Sequence, residues 1–231
     1  MRVYEVVTVT AKLYFQALAK FLLGVVLVGL LLFLPAGSVS YRNGWLLMGI
    51  LFVPMFLAGI VMMLKNPGLL EKRLNGKEQQ KEQGLVIKLS GLMFLAGFVV
   101  AGLGYRLDWF VLPDAVSIGA AVVFLAAYLL YAEVLRENTY LSRTIEVQAD
   151  QKVIDTGLYG IVRHPMYSVT LLLFLSMPLV LGSLYSFLIF LAYPFIIAGR
   201  IRHEEAFLER ELSGYGAYKQ KVKYRLIPLI W

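Results

Sequence analysis

Long apolar runs separated by short charged segments set the pattern of this chain. Leu13 to Leu34 carries one charge, Lys20, while Gly44 to Leu64, Leu89 to Tyr105 and Ala115 to Ala132 carry none. A hydrocarbon core of about 30 Å is crossed by roughly 20 helical residues, so each run predicts a membrane span. A fifth run, Met166 to Gly199, extends 34 residues without a charge. As one helix it would reach about 51 Å, too long for a single crossing. Gly182-Ser183 lies at its middle, with 16 residues on either side. The pattern predicts a tight hairpin of two short spans, with Pro178 and Pro194 as kink points compensated by neighbouring helices. The expected fold class is therefore all-α. It is a polytopic membrane protein of about six transmembrane helices, the last two forming the hairpin, followed by a cytoplasmic C-terminal helical tail.

Residues 1–231 read as a single membrane domain, with four spans over 1–132 and the loop, hairpin and tail over 133–231. In the Lys65–Lys88 connection, Glu71 to Glu78 is mixed in sign and predicts a solvated or interfacial helix rather than a binding element. The Glu133–Pro165 connection is more patterned. Thr144 to Gln148 alternates like an extended strand, Ala149 to Lys152 reads as a turn, and Asp155-Thr156-Gly157 as a second turn or helix cap. After Gly199 the last span continues as an amphipathic helix with Phe207, Leu208 and Leu212 on one side. Ser213-Gly214 ends it, and Tyr215 to Val222 starts another helical piece. Arg225 to Trp231 is apolar enough to lie against the membrane or cap a site.

Composition agrees: 59% of residues are hydrophobic and 16% charged, against roughly 25% charged in globular proteins. The first run lacks a small-residue cleavage site and more spans follow it, which argues against a cleavable signal peptide. The chain has no cysteine and two histidines, which removes thiolate chemistry and Cys-based metal sites. No metal is expected. The net charge of +7 is a matter of topology: twenty Lys and Arg fall on one side of the six-span arrangement and two, Arg42 and Arg106, on the other. The positive-inside rule then places both termini and both long loops in the cytoplasm. Affinity for anionic membrane lipids is expected, and nucleic acid is not. Compact size and the lack of an organellar address point to a prokaryotic cell membrane.

Two charged clusters carry the candidate chemistry. Arg163-His164-Pro165 stands where a loop becomes the fifth span, and proline is well suited to a first helical turn. The exposed N–H groups of that helix end, with Arg163 and His164, would cradle a carboxylate or phosphate. The plainer alternative has Arg163 reaching to headgroups and His164 capping the helix. The second cluster, Arg200 to Glu205, follows the sixth span, with Arg200 and Glu204 on one helical face at i,i+4. A hairpin between Met166 and Gly199 returns both clusters to the same membrane surface, where ionisable groups are functional candidates.

Gly157-x-Tyr159-x3-Arg163-His164-Pro165-x-Tyr167, then Glu204-Glu205-x2-Leu208, Tyr215-x2-Tyr218 and Arg225-Leu226-Ile227-Pro228 resemble the isoprenylcysteine carboxyl methyltransferase family. Related phospholipid methyltransferases share much of the pattern, and the resemblance covers roughly Glu133 to Trp231. It implies S-adenosylmethionine as cofactor, held at the cytoplasmic end of the hairpin rather than by a Rossmann fold. Gly102-Leu103-Gly104 lies within the third span and reads as a helix-packing site. By motif, the resemblance places Gln151, Lys152, Val153, Ile154, Tyr159, His164, Pro165, Met166 and Tyr167 around the cofactor, with Gln148 a further candidate. Glu204 would hold the cofactor's polar end and Arg200 would face the acceptor, giving Arg200 and Glu204 the catalytic roles. The acceptor would be a lipophilic, membrane-embedded molecule such as an isoprenylcysteine-like carboxylate. The alternatives are a phospholipid amine and, from a likeness to sterol reductases in the Arg-His turn and the Tyr224 to Pro228 end, an NADPH-dependent membrane reductase. The family commonly carries glycine where this chain has Val169. The extra N-terminal spans would shape an acceptor cavity of their own.

Overall fold

The computed structural model describes residues 11–74, 81–142, 145–148 and 150–231. Helices α1 (Ala11–Ala36), α2 (Arg42–Lys65), α4 (Lys81–Arg106) and α5 (Asp114–Glu137) correspond to the first four apolar runs, with the short α3 (Pro67–Leu74) after α2. The long run folds as α6 (Pro165–Val180), α7 (Leu184–Phe190) and α8 (Tyr193–Glu211), followed by α9 (Tyr215–Lys221). Among the described residues there is no β-strand, only a lone bridge between Val111 and Ser183. Residues 145–148 therefore lack the expected strand character, while Thr144 lies outside the described residues. Local bonds replace a ladder: the Gln148 amide donates to the Tyr140 carbonyl at 2.7 Å, and the Gln148 N–H to the Gln151 side chain at 2.9 Å. Of Glu71 to Glu78, the first four residues are helical in α3; Asn75 to Glu78 lie outside the described residues.

Among the described residues, five helical stretches are long and apolar enough to cross a membrane: α1, α2, α4, α5 and Leu184–Glu211. Helix α6, at 16 residues, reaches only about 24 Å. Its shortness follows from a turn at Leu181–Ser183. Gly182 adopts φ +70°, and a Cβ there would lie 2.8 Å from the Asn43 side chain, so glycine suits the position twice over. The Ser183 hydroxyl accepts from the Ser186 N–H and starts α7. Pro194 does not kink a continuous helix. The helix stops at Leu191-Ala192 and Pro194 lies in the first turn of α8, where its missing N–H has no intrahelical partner.

Helix α6 packs most extensively on α5, and α1 on α4. Gly102 allows the second contact: a Cβ would stand 2.5 Å from the Leu32 carbonyl of α1. Helix α1 keeps Leu32 and Ala36 buried but exposes Leu22, Leu23, Val26, Leu27 and Leu30, as a lipid-facing helix does. The core runs through Leu47, Phe124, Val169, Leu173, Phe190 and Ile201. Val169 thus fills core space. A second cluster, Leu212, Tyr215, Tyr218 and Val222, joins α9 to Val147 and Val153 of the loop.

Candidate functional site

The site forms where the 138–164 loop, α6, α8 and the chain after α9 meet. Glu137, at the end of α5, accepts from the Leu158 N–H and the Thr156 hydroxyl, both at 3.1 Å. Gly157 has φ +50°, and a Cβ there would fall 2.0 Å from a Glu137 carboxylate oxygen, so only glycine fits this turn. A 3-10 turn over Gly157–Gly160 follows and leads to Arg163. Pro165 sits in the first turn of α6, as the sequence predicted, and His164 holds the N-cap position without a side-chain cap bond. The Arg163 and His164 N–H groups donate to the Tyr224 and Arg225 carbonyls, each at 2.9 Å. The Ser168 hydroxyl donates to the Leu226 carbonyl at 2.6 Å. The segment after α9 is thereby tied across the start of α6.

Beneath this clamp lies a buried charge network centred on Glu205. Arg163 Nε donates to Glu205 Oε1 at 2.7 Å, Arg225 Nε to Oε2 at 2.9 Å, and His164 Nε2 lies 3.3 Å from Oε1. Arg163 Nη1 also donates to the Val222 and Lys223 carbonyls at 2.8 Å. A buried carboxylate is tolerable in such a setting because two guanidinium groups, Arg163 and Arg225, donate to it. The Arg163 guanidinium thus ties Glu205 to the segment after α9, while Arg163 also lines the cavity described below. Sequence reasoning had directed attention to Glu204. The signal for Glu205 was its register, since Ile197, Ile201 and Glu205 recur every fourth residue and all are buried.

Glu204 faces a different way. Tyr167 donates its hydroxyl to Glu204 Oε2 and accepts from Arg200 Nε at 2.8 Å. The Tyr167 ring stacks on His164 with centroids 5.7 Å apart, and His164 Nδ1 is 3.9 Å from Glu204 Oε1. Both ring nitrogens of His164 thus face carboxylates of α8. Burial pushes the Tyr159 and Tyr218 hydroxyls up from their ordinary values, leaving them neutral donors; that of Tyr218 bonds the Tyr159 carbonyl at 2.7 Å.

These groups open onto a cavity of about 1110 Å³. Gln151, Lys152, Val153, Ile154, Tyr159, His164, Met166, Tyr167, Arg200 and Glu204 line it together. Gln148 and Pro165 do not. Gln148 is instead a bracket, its Oε1 accepting from Lys72 Nζ at 2.5 Å, and Pro165 is buried at the helix start. Away from Tyr167 the wall turns apolar, with Phe21, Pro54, Met55, Ala58 and Phe124 drawn from α1, α2 and α5. Arg73 and Tyr131 also line it, and nothing in their local sequence had singled them out.

Residues 115–214 match the family model of phospholipid methyltransferases. The match runs from α5 to just beyond α8, less than half of the 231-residue chain. It contains Tyr167, Arg200, Glu204 and Glu205, and its likeness is to membrane methyltransferases as a class, without singling out isoprenylcysteine carboxyl methyltransferases. A comparison with curated proteins finds no match.

Proposed function

We propose that the chain is a single-domain, S-adenosylmethionine-dependent methyltransferase acting on a lipophilic, membrane-embedded acceptor. The observation that carries this reading is one cavity that is polar at Tyr167, Arg200 and Glu204 and apolar where α1, α2 and α5 line it. An amphiphilic acceptor and a polar cofactor need such a shared space.

The donor set suits the cofactor. Glu204, partly exposed, offers a carboxylate to ribose hydroxyls or an ammonium group, while Lys152 and Gln151 supply further polar contacts and Val153, Ile154 and Tyr159 an apolar wall. When bound, S-adenosylmethionine supplies an electrophilic methyl group. The protein's task is to align the nucleophile and keep water out. Tyr167 serves this by holding Arg200 and Glu204 through a single hydroxyl, which fixes both heads before ligands arrive. Arg200 would orient an acceptor carboxylate, which needs no general base. A phospholipid amine must lose a proton, and Glu204 is a carboxylate that lines the cavity beside Tyr167. The match to phospholipid methyltransferases favours the phospholipid; the expected prenylcysteine-like carboxylate is the other acceptor. The positive-inside bias supports a cytoplasmic site.

Purified protein is expected to bind S-adenosylmethionine saturably and to transfer its radiolabelled methyl group to a component of a membrane lipid extract. Identification of the labelled lipid separates amine from carboxylate. Stabilisation by NADPH with none by S-adenosylhomocysteine would replace this reading with a reductase.

A further inference from the structure

Arg73 is the last-but-one residue of α3, well outside the segment that matches the methyltransferase family. Its guanidinium donates to the Tyr131 hydroxyl of α5 and lies 5.6 Å from that ring's centroid. Its Nη1 is 3.9 Å from Met166 Sδ, one residue before Tyr167. These partners are all neutral, and among the described residues no carboxylate pairs with Arg73. Lys20 of α1 donates to the Leu74 carbonyl at 2.5 Å, which fixes the end of α3 and sets a second cation on the same wall. The half-buried guanidinium therefore lines the same cavity as apolar Phe21 and Pro54 and as Tyr167 and Glu204, and it touches Met166 next to Tyr167.

A partly desolvated cation without a counter-charge is unfavourable until an anion completes it. An amphiphile whose chain fills the apolar part would bring its headgroup to Arg73. We infer that Arg73 is a specificity-determining residue that binds the anionic group, a phosphate or carboxylate, of the lipid acceptor. The role of that lipid as acceptor rests on the methyltransferase reading; the anion site stands on its own geometry. Planar guanidinium matches such oxyanions in two-point contact, which an ammonium cannot reproduce.

The test is equilibrium binding of radiolabelled dodecyl phosphate to the full chain in maltoside micelles, with dodecylamine as the control and S-adenosylmethionine binding measured on the same samples. Dodecyl phosphate is expected to bind saturably, and Arg73→Gln to weaken it roughly tenfold or more, the loss of a charge-assisted contact. Arg73→Lys should recover part of the affinity, and S-adenosylmethionine binding should not change in either variant. Equal dodecyl phosphate binding in wild type and Arg73→Gln overturns the inference. So does weakened S-adenosylmethionine binding in Arg73→Gln, which would assign the guanidinium to the cofactor's own carboxylate. Arg73-dependent dodecyl phosphate binding in a chain that binds no S-adenosylmethionine upholds the anion site and defeats the methyltransferase reading instead.

Discussion

Glu204 and Glu205 are chemically identical neighbours with divergent surroundings. Side-chain exposure is 21% for Glu204 and 3% for Glu205, because successive helix positions point about 100° apart. Glu205 is enclosed by Arg163, Arg225 and His164, so Glu205→Gln breaks a buried network and should cost about 3–5 kcal/mol of stability. Thermal unfolding in detergent checks this; an unchanged midpoint would remove Glu205 from its anchoring role. Glu204→Gln and Tyr167→Phe are expected to leave the midpoint nearly unchanged while sharply weakening S-adenosylmethionine binding and methyl transfer, respectively. The Glu-Glu pair was visible in the sequence, but which member anchors and which faces the cavity was not. That choice depended on the rotation of α8 against α6, which the register of Ile197 and Ile201 hinted at without naming a partner.

The site depends on how neighbouring elements are joined. Helices α1 and α4 approach closely at Gly102, and Gly102→Ala forces a methyl group toward the Leu32 carbonyl. Overpacking of this kind typically costs about 1–3 kcal/mol, and the unfolding midpoint should fall accordingly; no change would mean that the helices separate freely. The loop and α9 are joined by Lys221 Nζ and Asp155 Oδ2 at 2.7 Å. The Lys221 ammonium holds the Asp155 carboxyl below its ordinary value. Its stabilising effect is therefore complete above the ordinary carboxylate range, near pH 4, and is lost as pH falls through the lowered folded value. Wild type should lose more stability than Asp155→Asn over that acid range, and parallel curves would show that the pair contributes nothing. At this scale the sequence did well with α6, whose proline start and Gly182-Ser183 end carry local signals. It did poorly with residues 145–148, since alternation alone cannot supply a partner strand.

For the whole molecule, the charge asymmetry predicts that the α1–α2 connection and the segment after α8 lie on opposite sides of the membrane. The chain has no cysteine, so Ser40→Cys and Ser213→Cys provide single reporters at exposed positions. A membrane-impermeant maleimide should label Ser40→Cys in intact cells and Ser213→Cys only after permeabilisation; the reverse pattern would invert the topology. The sequence by itself determined the class, since uncharged runs of spanning length leave hydrogen-bonded helices as the economical way to place backbone in a bilayer. It also foretold that His164 and Glu204 come together, because the hairpin returns both to one end of the helix pair. Tertiary structure alone decided what each group does there. It enclosed Arg163 with Glu205, tied Gln148 to Lys72, and brought Arg73 and the apolar wall of α1 and α2 to the same cavity. Those relations join residues far apart along the chain through packing of nearly uniform apolar surfaces, for which local sequence holds no register.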